Sequence, residues 1–199
     1  MVSPFFSVQA NSVDQICVLR LQSADGMNRL TRASVLELTD ALQDLTQRGK
    51  PLVIAGNSKF FSVGADLEEI ASLDGVAAYE FSKIGQSLML AIEQFPAPVI
   101  AAISGYCMGG GLDLALACHR RIGAPNAVFG HRGAALGLIT GWGGTQRLPR
   151  LIGKARAMQL LVAAEKLYAE EALLIGLVDR IAEDPVAAAA ECIRAGLRD

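Results

Sequence analysis

The 199-residue chain is 52% hydrophobic and 19% charged, with a formal net charge of −2. That balance suits one packed domain with a sizeable core; it excludes a disordered chain and offers no basic face for nucleic acid. Four cysteines without a CxxC pair, and only two histidines, argue against a zinc site or a disulfide framework and for a reducing cytoplasm. The opening "MVSPFFSVQA" lacks a basic start and carries Pro4, a poor signal peptide. No apolar run is long enough to span a bilayer, so neither a membrane nor a metal is expected as a partner.

"QICVLRL" (Gln15–Leu21) is rich in β-formers and predicts a strand, and Asp25-Gly26 predicts a turn after it. Val35, Leu38, Ala41, Leu42 and Leu45 recur at helical spacing, with Gly49 as the stop. A short strand "PLVIAG" and a loop "NSKFFSVGAD" follow, then a helix over roughly Val76–Phe95 ended by Pro96 and Pro98. "VIAAI" (Val99–Ile103) is continuously apolar, as a buried parallel strand should be. A helix begins near Gly111, "RRIGA" and "AVFG" predict two short strands, and the pattern is helical from Gly143 onward. Strands alternating with helices predict an α/β domain, largely parallel in its sheet, with a helical C-terminal part and no domain boundary over 1–199.

The stretch "SGYCMGGGLDLAL" (Ser104–Leu116), between the buried strand and the next helix, permits two chemistries. Gly105-x-Cys107-x-Gly109 has the spacing of a nucleophile elbow with cysteine in place of serine. A triad of that kind needs an acid and then a histidine downstream. The histidines are His119 and His131, with Asp113 the only acid between Cys107 and His119, which leaves Cys107 as a small residue filling a tight corner. In the other reading the glycines work: they permit close backbone approach, and the helix start supplies unpaired N–H groups and the positive dipole end for a developing oxyanion. A second loop, "FFSVGADLEEI", also follows an apolar strand and opens a helix-like stretch. Two such loops at one edge of a parallel sheet can aim two N–H groups at one carbonyl oxygen.

The pairing of "FFSVGADLEEI" with "ISGYCMGGGLDLALACHRRIGAPNAVFG", followed by "GWGGTQRLPRLIGKARAMQLL" and "AEEALLIGLVDRI", resembles the crotonase superfamily, the enoyl-CoA hydratase/isomerase family, over nearly the whole chain. The resemblance implies a spiral of ββα repeats, a homo-oligomer of trimer or hexamer size, and an acyl-CoA thioester as substrate, with coenzyme A entering as part of the substrate and no separate cofactor. By position it places the oxyanion hole at the backbone N–H groups of Ala65 and Gly110. It sets Met27, Asn28 and Leu30, with Ala65, Asp66, Leu67 and Glu68, beside the CoA and acyl chain.

The chain departs from the family in several places. Hydratases there use two glutamates flanking a water; the first position is Asp113 here, one methylene shorter, and the second, in "FGHRGAALG", is Gly133. Asp113 is read either as the remaining acid–base group or as a charge complementing the helix dipole. His131 and Arg132 are read as lining the pocket or, in the favoured reading, as part of a solvated loop, Trp142 is expected over the acyl site or in the core, and Glu68, Glu69, Glu170 and Glu171 on solvated helix faces. Asp25 stands where a basic residue often holds CoA phosphates, with Arg29 as a possible replacement. Family members normally continue past the position of "ECIRAGLRD" into further helices, which the resemblance leads one to expect this chain to lack. The expected function is enolate or oxyanion stabilisation on an acyl-CoA, with lyase or isomerase chemistry of fatty acid metabolism. The alternatives are decarboxylation of a malonyl-type thioester, and a non-catalytic binding or assembly subunit.

Overall fold

The computed structural model describes residues 1–10 and 15–196. Strands β1 (Phe6–Ala10) and β2 (Cys17–Leu21) form an antiparallel pair, followed by a short β3 (Arg29–Leu30) and helix α1 (Arg32–Arg48). Helix α1 is capped at its start by the Thr31 hydroxyl, which accepts from Ser34 N–H, and stops at Gly49, which is left-handed at φ 59°.

Three strand–strand–helix units then follow. The first is β4 (Leu52–Ala55), β5 (Phe60–Ser62) and β6 (Gly64–Ala65), with helices α2 (Leu67–Ala71) and α3 (Gly75–Glu93). The second is β7 (Val99–Ile103), β8 (Tyr106–Met108) and α4 (Gly110–Ala117). The third is β9 (Arg120–Gly123) and β10 (Val128–Gly130), a 3-10 turn at Gly133–Leu136, and α5 (Gly144–Ile152). The chain continues through α6 (Lys154–Ala163), β11 (Leu167–Tyr168), α7 (Ala169–Leu174), β12 (Arg180–Ile181) and α8 (Pro185–Arg194).

The first strand of each unit enters a six-stranded sheet, β1-β2-β4-β7-β9-β12, parallel except for the β1–β2 pair. The second strand enters a four-stranded sheet, β11-β10-β8-β5, and β3 pairs with β6. Each unit thus turns once between two sheets, which is the spiral of ββα repeats that the family resemblance implies. "NSKFFSVGAD", expected to be a loop, contains β5 and β6, and β8 lies inside the glycine stretch. The C-terminal part carries two short strands, β11 and β12, among its helices. Residues 197–199 of the terminal stretch lie outside the described residues.

Alternation along the large sheet splits its side chains between two layers. Leu52, Ile54, Val99, Ala101 and Ile103 enter the main core against α1, α3 and α4. Val53, Ala55, Ile100 and Ala102 face the other way and meet Ala188 and Ala189 of α8. A sheet covered on both faces explains the unbroken apolar runs in β4 and β7. Its strand ends are therefore fixed, and the loops that leave them, before α2 and before α4, are held at one edge.

Candidate active site

The two glycine-containing loops meet. A Cβ built on Gly64 would fall 2.6 Å from Met108 O and 2.8 Å from Gly110 N, and Gly64 has φ 91°. No side chain fits there, so the backbones of the two loops touch directly. In the parallel β3–β6 pair Leu30 faces Ala65, and Leu30 O accepts from Asp66 N–H at 3.4 Å. Successive amides of a strand point to opposite edges, so the Ala65 N–H is directed away from β3. Gly110 is the first residue of α4, where amides have no partner within the helix. Ala65 and both Gly109 and Gly110 line one cavity of about 330 Å³.

The loop that carries Ala65 is pinned from below. The Asn28 amide donates to Phe60 O at 2.9 Å and Phe61 O at 3.0 Å, and Ser62 Oγ donates back to Asn28 O at 2.7 Å. Asn28 adopts φ 55° to do so. Asn28 and Leu30 are buried, and neither lines the cavity; nor do Met27, Asp66 or Glu68. Asp66 caps α2, accepting from Glu68 N–H and Glu69 N–H. Leu67 and Gly133 do line the cavity. Arg29 is occupied by two carboxylates, Asp25 and, at 3.8 Å, Asp66. The Ser23 hydroxyl is the main influence holding the Asp25 carboxyl below its usual range, and Arg29 adds to it.

Asp113 sits in the first turn of α4, 1% exposed, and lines the cavity. One carboxylate oxygen accepts from the Thr140 hydroxyl. The other lies 3.3 Å from Nε2 of His131. The sequence-based expectation for His131 is thereby corrected: it is 4% exposed and packed against Asp113, while its neighbour Arg132 is exposed at the cavity wall. The signal that would have located His131 is its place directly after β10, at the strand edge that carries the glycine loop. Among the described lining residues, Asp113, His131 and Arg132 are the only ionisable groups; the remainder is largely apolar. Trp142 combines both roles expected of it, being 4% exposed, packed on Phe81 with ring centroids 5.3 Å apart, and part of the cavity wall.

Cys107 is fully buried on β8, and desolvation pushes its thiol well above the ordinary range. A thiol held protonated and out of solvent is not a nucleophile, in keeping with the reading that gives the work to the glycines.

Residues 11–194 match the family profile described as enoyl-CoA hydratase/isomerase. The chain belongs to the enoyl-CoA hydratase/isomerase family. Within the family it is 40% identical over 173 residues to a crotonyl-CoA hydratase of Syntrophomonas wolfei, an alignment covering 85% of this chain and 66% of that protein. It is 43% identical over 177 residues to a probable enoyl-CoA hydratase of Bacillus subtilis, covering 87% and 68% respectively. The solved enoyl-CoA hydratase of Thermoplasma volcanium superposes with a TM-score of 0.91 at 31% identity, over 99% of this chain and 79% of the other. The chain thus spans about two thirds of the length of these curated family members. Its crotonase-type fold is that of the family.

Proposed function

We propose that this chain binds an acyl-CoA thioester with the carbonyl oxygen between the Ala65 and Gly110 amides, and stabilises the enolate that forms there. The observation that carries this reading is the convergence of those two loops on one apolar cavity, with Asp113 one helical turn behind Gly110. Two preorganised N–H donors favour the charge that develops on oxygen over the neutral carbonyl. The coenzyme A portion is proposed to run past Met27 and Asp66–Glu68, with the buried Asn28 and Leu30 supporting that rim from beneath. The curated relatives are named for hydration of crotonyl-CoA and enoyl-CoA, which makes addition of water to an enoyl thioester the nearest reaction class. Gly133 brings no carboxylate to the cavity, so hydration by this chain is proposed to be slow relative to enolate formation. A homo-oligomer of trimer or hexamer size, in the cytoplasm, belongs to the same proposal.

A second reading rests on Arg132. It is the one cation among the described lining residues, and it suits a malonyl-type thioester whose extra carboxylate meets the guanidinium. There the bond to the carboxylate carbon breaks, CO₂ leaves, and the electron pair enters the same enolate. The test is a panel of three assays: crotonyl-CoA hydration, malonyl-type decarboxylation, and α-deuterium incorporation into butyryl-CoA in D₂O. Acyl-CoA affinity is measured in parallel. Enolate formation predicts deuterium uptake above hydration; decarboxylation alone selects the second reading. Binding without any turnover leaves a binding subunit, and no binding overturns the proposal.

A further inference from the structure

The site as described has one carboxylate and, at Gly133, nothing in place of a second. It also has a buried imidazole that no reading so far employs. Oδ1 of Asp113 and Nε2 of His131 are both buried and both lack a hydrogen-bond partner, yet they face each other at 3.3 Å. Burying two polar atoms without bonds is costly. A proton between them removes that cost, and a small ring rotation closes the bond. The surroundings hold the pair in place. The Thr140 hydroxyl occupies the other oxygen of Asp113. Gly144 provides the space: a Cβ there would fall 2.1 Å from Asp113 Oδ1 and 2.8 Å from His131 Nε2. Asp113 and His131 line the same cavity as Ala65 and Gly110.

We infer that Asp113 and His131 share one proton and act together as the proton-transfer unit of this site. The inference rests on the proposed thioester reading. In the step, the C–H bond at the thioester α-carbon breaks and its electron pair moves into the thioester to form the enolate. The enolate oxygen is held by the Ala65 and Gly110 amides, and the proton passes to the Asp113–His131 pair. The pair exchanges the acquired proton with solvent, and reprotonation delivers one proton, a deuteron in D₂O, back to carbon, so atoms and charge balance without a co-reactant. The charged and titratable groups around His131 are Asp113 from α4, Arg132 beside it on the same loop, and Cys107 of β8, which lies near Asp113 and is held protonated by burial.

The test uses the wild type, Asp113→Asn, His131→Gln and the double variant. Deuterium uptake into butyryl-CoA in D₂O is followed against pH, with butyryl-CoA affinity alongside. Each single variant is expected to lose about 10²–10⁴-fold in exchange, with affinity within a few-fold. The double variant should be no worse than the weaker single, because the pair acts as a unit. The pH profile of exchange should change in His131→Gln. Wild-type exchange in His131→Gln with an unmoved pH profile assigns His131 a packing role and overturns the inference, while leaving the thioester reading intact. A wild type that binds butyryl-CoA but exchanges no deuterium also overturns it; a wild type that does not bind defeats the underlying reading instead. A ligand-free measurement guards against variants that misfold. The chain has two histidines, His119 and His131, so the imidazole ring N–H resonances are readily assigned by NMR. A hydrogen-bonded ring N–H resonance of His131 should be present in the wild type and lost in Asp113→Asn, and its absence from the wild type overturns the shared proton.

Discussion

A methyl placed on Gly110 would lie 2.5 Å from Cζ3 of Trp142 and 3.3 Å from the Ala65 amide nitrogen. The indole occupies the volume that any side chain at 110 would need, a space that borders the Ala65 amide. Gly110→Ala keeps both N–H groups but fills that space. Its overpacking should cost about 1–3 kcal/mol of stability. Affinity for butyryl-CoA and α-deuterium exchange should fall together, by tenfold or more. Calorimetric titration and denaturant unfolding check both. Undiminished affinity in a folded variant would place the thioester oxygen elsewhere.

Trp142 also separates two concavities. The cavity of about 330 Å³ shares Thr140, Gly141 and Trp142 with a second pocket of about 420 Å³, lined further by Gln86, Leu90 and Arg147. The indole is braced by Phe81 on one side, and the Trp142 carbonyl accepts from Arg147 at 3.2 Å. Trp142→Ala should join the two spaces and move the preferred acyl length upward along a butyryl to decanoyl ladder. The lost burial should cost about 3–5 kcal/mol, so the ladder is best measured in parallel with unfolding. An unchanged ladder would show that the acyl chain does not run toward Trp142.

Two buried thiols make stability fall in alkali. Desolvation pushes Cys107 well above the ordinary thiol range and Cys118 up to about 12, despite the opposing charge of Arg121. Both therefore bind a proton more tightly when folded, so their contribution is complete below the unfolded thiol value near 9 and is lost as pH rises from there toward 12. Within that window each thiol should remove about 1.4 kcal/mol per pH unit. Unfolding measured against pH for Cys107→Ala, Cys118→Ala and the wild type gives the difference slope. Cys107→Ala should retain exchange activity within a few-fold, and native Cys107 should resist alkylation. Rapid labelling at Cys107 with loss of activity would restore the nucleophile reading.

Much of the fold was legible because the large sheet is buried on both faces. Four- and five-residue apolar runs such as Leu52–Ala55 and Val99–Ile103 carry their own signal. The second sheet was not legible, because Phe60–Ser62 and Tyr106–Met108 are three residues long, too short for periodicity to separate from turn. The meeting of the two glycine loops followed from strand order, since both leave the same edge. His131 escaped because composition reads "HRG" as loop, and burial there is imposed by Asp113, Thr140 and Gly144 from distant parts of the chain. Arg29 illustrates the same point: its pairing with Asp66 was not legible, because only folding places Asp66 near it.

Gly133 proves to be more than a missing carboxylate. A Cβ there would fall 2.9 Å from Leu138 O and 3.3 Å from Leu138 C, and the turn is closed by Leu138 N–H donating to Gly133 O at 2.9 Å. The loop is wound into a form that admits no side chain without moving backbone. Gly133→Glu therefore does two things at once: it offers a carboxylate and it strains the turn. The strain alone should cost about 1–3 kcal/mol, and Gly133→Ala should show the same loss without the charge. A well-placed second acid–base group would raise crotonyl-CoA hydration by about 10²–10⁴-fold. The wound loop predicts a much smaller gain in Gly133→Glu, because relieving the clash at Leu138 displaces the carboxylate from the water it would have to activate. Hydration rates and urea unfolding of the two variants separate the contributions. A rise of a hundredfold or more in Gly133→Glu, absent from Gly133→Ala, would show that the loop yields and that the wild type lacks only the carboxylate.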